Sequence, residues 1–240
     1  NDLALVLRDQ GKLPEAEALQ REVLELRRKL YGAEHAEVAE SLNNLALVLR
    51  SEGRLAEAER LHRDALEMDL KLFGHEHLAV ATSLNNLALT LDAEGKPAEA
   101  EPRLRESIAI QTKLLGDEQP GLAITMDNLA FVLREEGKLD QAEALERQSL
   151  AIQQKIFGPE YPSVATAINN LGLILAAQGK VVEAERLLRE ALAQRRKLLG
   201  KEHPELAASL HHLAVLLRAT KHLDEAARLE GESLAMVGEF

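Results

Sequence analysis

Apolar residues along the chain fall in two alternating helical patterns. Leu42, Leu45, Ala46 and Leu49 sit at i, i+3, i+4 and i+7, the spacing that lines one face of an α-helix. A second run, Ala58, Leu61, Ala65, Met68 and Leu72, keeps helical spacing as well. Gly53 lies between them, and glycine accepts the left-handed conformation that closes a helix. The second run ends at Phe73-Gly74, and a short loop leads into the next first helix. Later copies place Pro120, Pro162 or Pro204 at that point, where the first turn has no use for the missing N–H. The pattern predicts helix pairs throughout, an all-α fold.

The pair recurs with a step of 42 residues. Asn44-Leu45-Ala46 returns as Asn86-Leu87-Ala88, Asn128-Leu129-Ala130, Asn170-Leu171-Gly172 and His212-Leu213-Ala214, and Asp2-Leu3-Ala4 precedes them all. Gly11, Gly53, Gly95, Gly137 and Gly179 form one glycine column; Gly32, Gly74, Gly116, Gly158 and Gly200 form another. Residues 35–76 and 77–118 are identical at 22 of 42 positions. Copies 35–76, 77–118, 119–160 and 161–202 are whole, 1–34 is partial and 203–240 nearly complete. Residues 1–240 therefore read as a single repeat array without linkers. One such pair cannot bury its apolar face alone, so neighbouring pairs must stack.

The run S-L-N-N-L-A-L-V-L-R-x-x-G-x-x-x-E-A-E, followed by A-L, K-L-x-G and H-P, resembles a tetratricopeptide repeat. Ordinary repeats of that family have a period of 34. The period of 42 and the doubled Asn resemble the kinesin light chain subclass. The resemblance implies helix-turn-helix repeats stacked into a right-handed α-solenoid superhelix, with the first helices lining a concave groove that holds an extended peptide. Some copies depart from the pattern. Lys221 stands in a turn-glycine column, His211-His212 replaces the Asn pair, Gly231 replaces an arginine, and Pro102 interrupts a second helix. Pro102 is expected to remove one backbone hydrogen bond and bend that helix.

Composition narrows the chemistry. Lys and Arg number 29 against 40 Asp and Glu, a formal charge of −11. That argues against nucleic acid, which calls for a basic face. There is no Cys, which removes disulfides, zinc–thiolate sites and cysteine nucleophiles. Aromatics are 2% with no Trp, so the core is built from Leu, Ala, Ile and Val. No apolar run reaches the ~20 residues of a membrane span. The expectation is a cytoplasmic chain that does not insert into membranes. No cofactor, metal or catalytic group stands out, and we expect no enzyme. His75-Glu76-His77 lacks the i, i+4 spacing of a helical zinc motif, and His77 shares a loop column with His35 and His203, which fits a capping role.

On the family's groove, the candidate contacts form columns. Asn43, Asn85 and Asn169 make an outer column that Asp127 interrupts with a charge, and Asn44, Asn86, Asn128 and Asn170 make an inner one. Asn offers a donor and an acceptor to any peptide backbone. It equally suits a bond to the neighbouring helix that fixes the stacking angle, and both roles stay open. Leu47, Leu89, Phe131 and Leu173 supply apolar contacts. Arg50 and Arg134, in a column with Arg8 and Arg218, could grip a carboxylate or pair within the protein. The groove suits an extended partner segment with a hydrophobic anchor and an acidic residue or two, and kinesin light chains bind acidic peptides centred on Trp. The carboxylate clamp of chaperone-binding relatives is absent, since its positions hold Glu40, Thr82, Ile124, Thr166 and Ala208. The functional expectation is a protein–protein interaction scaffold. The alternatives are a structural or self-associating module, as a monomer or a weak end-to-end oligomer through Leu3 and Leu7, and a sensor array of a larger signalling protein.

Overall fold

The computed structural model describes residues 2–200 and 203–237. Among them are twelve α-helices and no strand. The chain divides after Asp117 into two compact units. The first holds α1 (Asp2–Asp9), α2 (Leu13–Tyr31), α3 (Ala36–Ser51), α4 (Leu55–Phe73), α5 (Leu78–Ala93) and α6 (Pro97–Leu115). The second holds α7 (Pro120–Glu135), α8 (Leu139–Phe157), α9 (Pro162–Ala177), α10 (Val181–Leu198), α11 (Pro204–Ala219) and α12 (Leu223–Val237).

Each repeat is a helix-turn-helix. In the copy at 35–76 the first helix has 16 residues and the second 19. Between them Gly53 takes φ +77°, and the Arg54 N–H returns to the Leu49 carbonyl at 2.9 Å. This closes the orphan carbonyls of the helix end. Lys221 holds the same turn with φ 66°, the one non-glycine residue with positive φ among those described. At the far end of the repeat, the ring of Phe73 stacks on His77 at 4.1 Å. The His77 Nδ1 in turn accepts the Ala79 N–H at 3.1 Å and caps α5. His35 and His203 cap α3 and α11 in the same way, so this histidine column is a capping device. Pro120, Pro162 and Pro204 open their helices.

The predicted stripes form the core. In the first unit Leu42, Leu45, Ala46 and Leu49 pack with Ala58, Leu61 and Ala65. Leu72, expected on that stripe, is 40% exposed, and its neighbours Lys71 and Phe73 in the last turn of α4 are exposed too. In the second unit Ile168, Leu171 and Leu175 meet Leu188, Leu210 and Leu213. Gly172 is buried against Leu188, whose Cγ and Cδ2 would stand 3.0 Å from an added Cβ. Ala fills this column in the sibling repeats, where it is fully buried at Ala46, Ala88, Ala130 and Ala214. The helix α6 runs without a break through the exposed Pro102.

Within each unit the first helices touch one another across the intervening second helix: α3 with α5, α7 with α9, and α9 with α11. They make one layer, and the second helices make another. The abundant Glu residues do more than pair at i, i+4. Arg54 binds Glu17 and Lys96 binds Glu59 in the first unit; Lys180 binds Glu143 and Arg189 binds Glu225 in the second. Each of these joins one repeat to the next. Lys180 and Arg147 hold the Glu143 carboxyl down at about 2.

Candidate functional site

The two asparagine columns part company. Asn43 is 7% exposed and Asn169 3% exposed. Asn43 donates to the Ser83 hydroxyl of the next repeat at 2.7 Å, and its Oδ1 lies 2.9 Å from His62 Nδ1. His62 is fully buried, and burial lowers its pKa to about 3, so it stays neutral with the Nδ1 proton directed at Asn43. Ser83 passes the chain on to Asp69 at 2.6 Å. Asn169 pairs with His212 of the following repeat at 3.1 Å. These side chains stitch neighbouring repeats together. Asn85 is half-buried, with its Nδ2 3.4 Å from Asn86 Oδ1. The inner column of Asn44, Asn86, Asn128 and Asn170 is only half-buried throughout.

The other candidates lie on the open side of the first helices. Leu47, Leu89 and Leu173 are half-buried, and Phe131 is exposed. Arg134 sits 4.8 Å over the Phe131 ring and pairs with Glu135 at 3.0 Å. Arg50 is half-buried, and burial together with Arg8 lowers its pKa. In the first unit the surface thus brings together Asn44, Leu47, Arg50, Asn86 and Leu89. In the second it brings together Asn128, Phe131, Arg134, Asn170 and Leu173.

Asp127 has a different setting. It lies beside Glu146 of α8, which is 1% exposed. Burial pushes Asp127 up to about 6, against the relief given by Ser149 and Gln153. Glu146 is raised well above an ordinary carboxyl by burial and by Asp127, and the nearby Asn170 and Arg134 only partly offset this. Sequence reading passed over Glu146 and Gln153. The register carried a signal: the Glu146 column is Leu at Leu104 and Leu188 but polar at Gln20, His62 and Glu146, a polar residue on a core-facing stripe.

Between adjacent first helices the structure has clefts. One, of about 370 Å³, lies between α3 and α5 and is lined by Glu40, Asn43, Asp69, Phe73, His77 and Thr82 among others. Its counterpart between α7 and α9 measures about 500 Å³ and includes Ile124, Asp127, Gln153, Phe157, Tyr161 and Thr166. The described residues contain no group of three or more His, Asp or Glu side chains able to hold a metal. None of their helices is long and apolar enough to cross a membrane.

The Tetratricopeptide repeat family model matches residues 1–71, 42–113, 80–155, 121–180 and 163–238. No curated protein matches the chain. Among solved structures, nearly identical TPR-like repeats of a kinesin light chain from Podosopora anserina are 31% identical, with 86% of this chain and 98% of that one covered, at a TM-score of 0.71. BtubC (BKLC) from P. vanneervenii shares the fold at 22% identity and a TM-score of 0.78, over 95% of this chain and 91% of that one. The apo form of RapI shares it at 16% identity and a TM-score of 0.75, over 98% of this chain and 80% of that one. The match along the repeats, the 42-residue period and the helix-turn-helix geometry agree: the chain belongs to the tetratricopeptide repeat family, in its kinesin light chain-like form.

Proposed function

We propose that the chain is a protein–protein interaction scaffold whose first helices hold an extended segment of a partner protein. Proteins of this repeat family mediate protein–protein interactions. The observation that carries the reading is the division of labour between the Asn columns. Asn43 and Asn169 are spent on stacking the repeats, while Asn44, Asn86, Asn128 and Asn170 keep exposed surface beside Leu47, Leu89, Phe131 and Leu173. Polar rungs interleaved with apolar side chains at a fixed step suit an extended chain, whose backbone repeats its own donors and acceptors. A binding module without catalysis, working in the cytoplasm, goes with this reading.

A selection of displayed unstructured peptides tests it. One arm uses the wild-type chain and the other an Asn86→Ala/Asn128→Ala/Arg134→Glu variant. The reading predicts enrichment of a motif on the wild type alone. Equal enrichment on both would place the binding elsewhere, and none on either would leave the face without a peptide ligand.

A further inference from the structure

The cleft between α7 and α9 differs from its neighbours in one respect. Three buried polar atoms on its lining have no hydrogen-bond partner: Asp127 Oδ1, Gln153 Oε1 and Ser163 Oγ, of which the two on Asp127 and Gln153 are acceptors only. Gln153 is 2% exposed, and its Nε2 is already committed to Asp127 Oδ2 and Ser149 Oγ, each at 2.9 Å. Gln153 lines the cleft, and its carbonyl oxygen is a buried acceptor without a donor. Leaving such a group unmet carries a desolvation cost, so a ligand that supplies N–H donors gains affinity here.

The repeat itself says which donors fit. Gln153 shares its column with Arg27, Asp69, Gln111 and Arg195, at steps of 42. Arg27 donates to Ser41 and to the Glu37 carbonyl, both at 2.8 Å, and pairs with the Glu37 carboxylate. Arg195 donates to Ser209, to the Glu205 carbonyl and to Thr166. Arg195 thereby bridges the first helices α9 and α11 from the second helix between them, and Arg27 holds α3 with the same fork. At the α7–α9 junction the column offers the shorter, neutral Gln153, and Ala167 stands where Ser41 and Ser209 do. The cleft there is about 500 Å³. Its wall carries the stacked rings of Phe157 and Tyr161, 4.5 Å apart and nearly parallel, both exposed. Among its lining residues are Asp127 and Glu205 but no lysine or arginine. Glu205 is partly answered by Arg195 Nε at 3.6 Å, so Asp127 supplies the charge that remains.

We propose that this cleft receives an arginine side chain of the bound partner segment, with the guanidinium donating to Asp127 Oδ1 and Gln153 Oε1 and its stem lying against Phe157 and Tyr161. The proposal rests on the peptide-scaffold reading and names a side chain that the partner presents. A guanidinium is planar, weakly hydrated and able to stack on aromatic faces, which sets it apart from an ammonium.

The test is an NMR titration of the full chain with N-acetyl-arginine amide and its lysine and citrulline counterparts. It follows the Ile124 methyl and Tyr161 ring signals. The arginine probe should shift both in a saturable way, with the neutral but isosteric citrulline probe at least tenfold weaker. Asp127→Asn restores the residue of the sibling copies Asn43, Asn85 and Asn169, so it keeps the fold. It should abolish the difference between arginine and citrulline. Citrulline or lysine binding as well as arginine, a preference unchanged by Asp127→Asn, or shifts confined to other residues would each overturn the proposal. The display selection reads the scaffold function separately: an enriched motif without arginine would overturn the arginine assignment and leave the scaffold standing.

Discussion

At the residue scale, the side chains that matter most are the polar ones the core has taken in. Asn43 links Ser83 of the next repeat to the neutral His62. Asn43→Ala strands both partners in a buried site, and should lower stability by about 1–3 kcal/mol, read as a fall in the urea midpoint. Asp127 works the other way. Its carboxyl sits at about 6 in the fold against 3.8 as the ordinary value. An acid with a raised folded pKa supports the fold below about 4, and that support is lost as pH rises to about 6. Asp127→Asn should therefore stabilise the chain at pH 7, by roughly 2 kcal/mol, and the gain should disappear near pH 4. Denaturation curves at the two pH values check this; a gain equal at both would refute the account of Asp127. The sequence exposed the Asn columns but not their separate roles. Neighbouring positions on a helix differ by about 100° in direction, and which of the two turns into the next repeat depends on the stacking angle, which no single copy encodes.

At the element scale, local chemistry was legible. Glycine turns, proline openings and the two helical stripes follow from residues a few positions apart, and they are present except that Gly200 does not take the positive φ of its column and Leu72 leaves its stripe. Two departures carry predictions. Lys221 holds the left-handed conformation that glycine holds at the same turn in the other copies. Lys221→Gly should raise thermal stability by an amount on the order of 1 kcal/mol, and calorimetry would register it as a small rise in Tm. Pro102 removes a backbone donor inside α6 yet leaves the helix continuous. Its column holds Arg60, Arg186 and Arg228 in other copies. Pro102→Arg should return that hydrogen bond, from the residue-102 N–H to the Ala98 carbonyl, and stabilise α6 by about 1–3 kcal/mol, with slower amide exchange at the neighbouring Arg103 and Leu104 as the local sign. Unchanged exchange there would mean that Pro102 costs the helix nothing.

At the scale of the whole molecule, the 42-residue period was the strongest signal in the sequence, because a repeat specifies its neighbours as well as itself. The ion pairs that join one repeat to the next were not legible. Arg54 with Glu17 and Lys180 with Glu143 are 37 positions apart in sequence, and only stacking brings them together. The net charge of −11 favours the approach of a cationic partner and works against an acidic one. This agrees with an arginine anchor in the α7–α9 cleft and sets a limit on the analogy with acidic ligands. The central claim is that the open face of the first helices is the binding face. Its most direct test is photo-crosslinking of a selected peptide, with the crosslinking residue placed in turn at Phe131, Val215 and Val182. Phe131 and Val215 are exposed on first helices and Val182 on a second helix, the last at 86%. The account predicts crosslinks from Phe131 and Val215 and none from Val182; a crosslink from Val182 alone would contradict it.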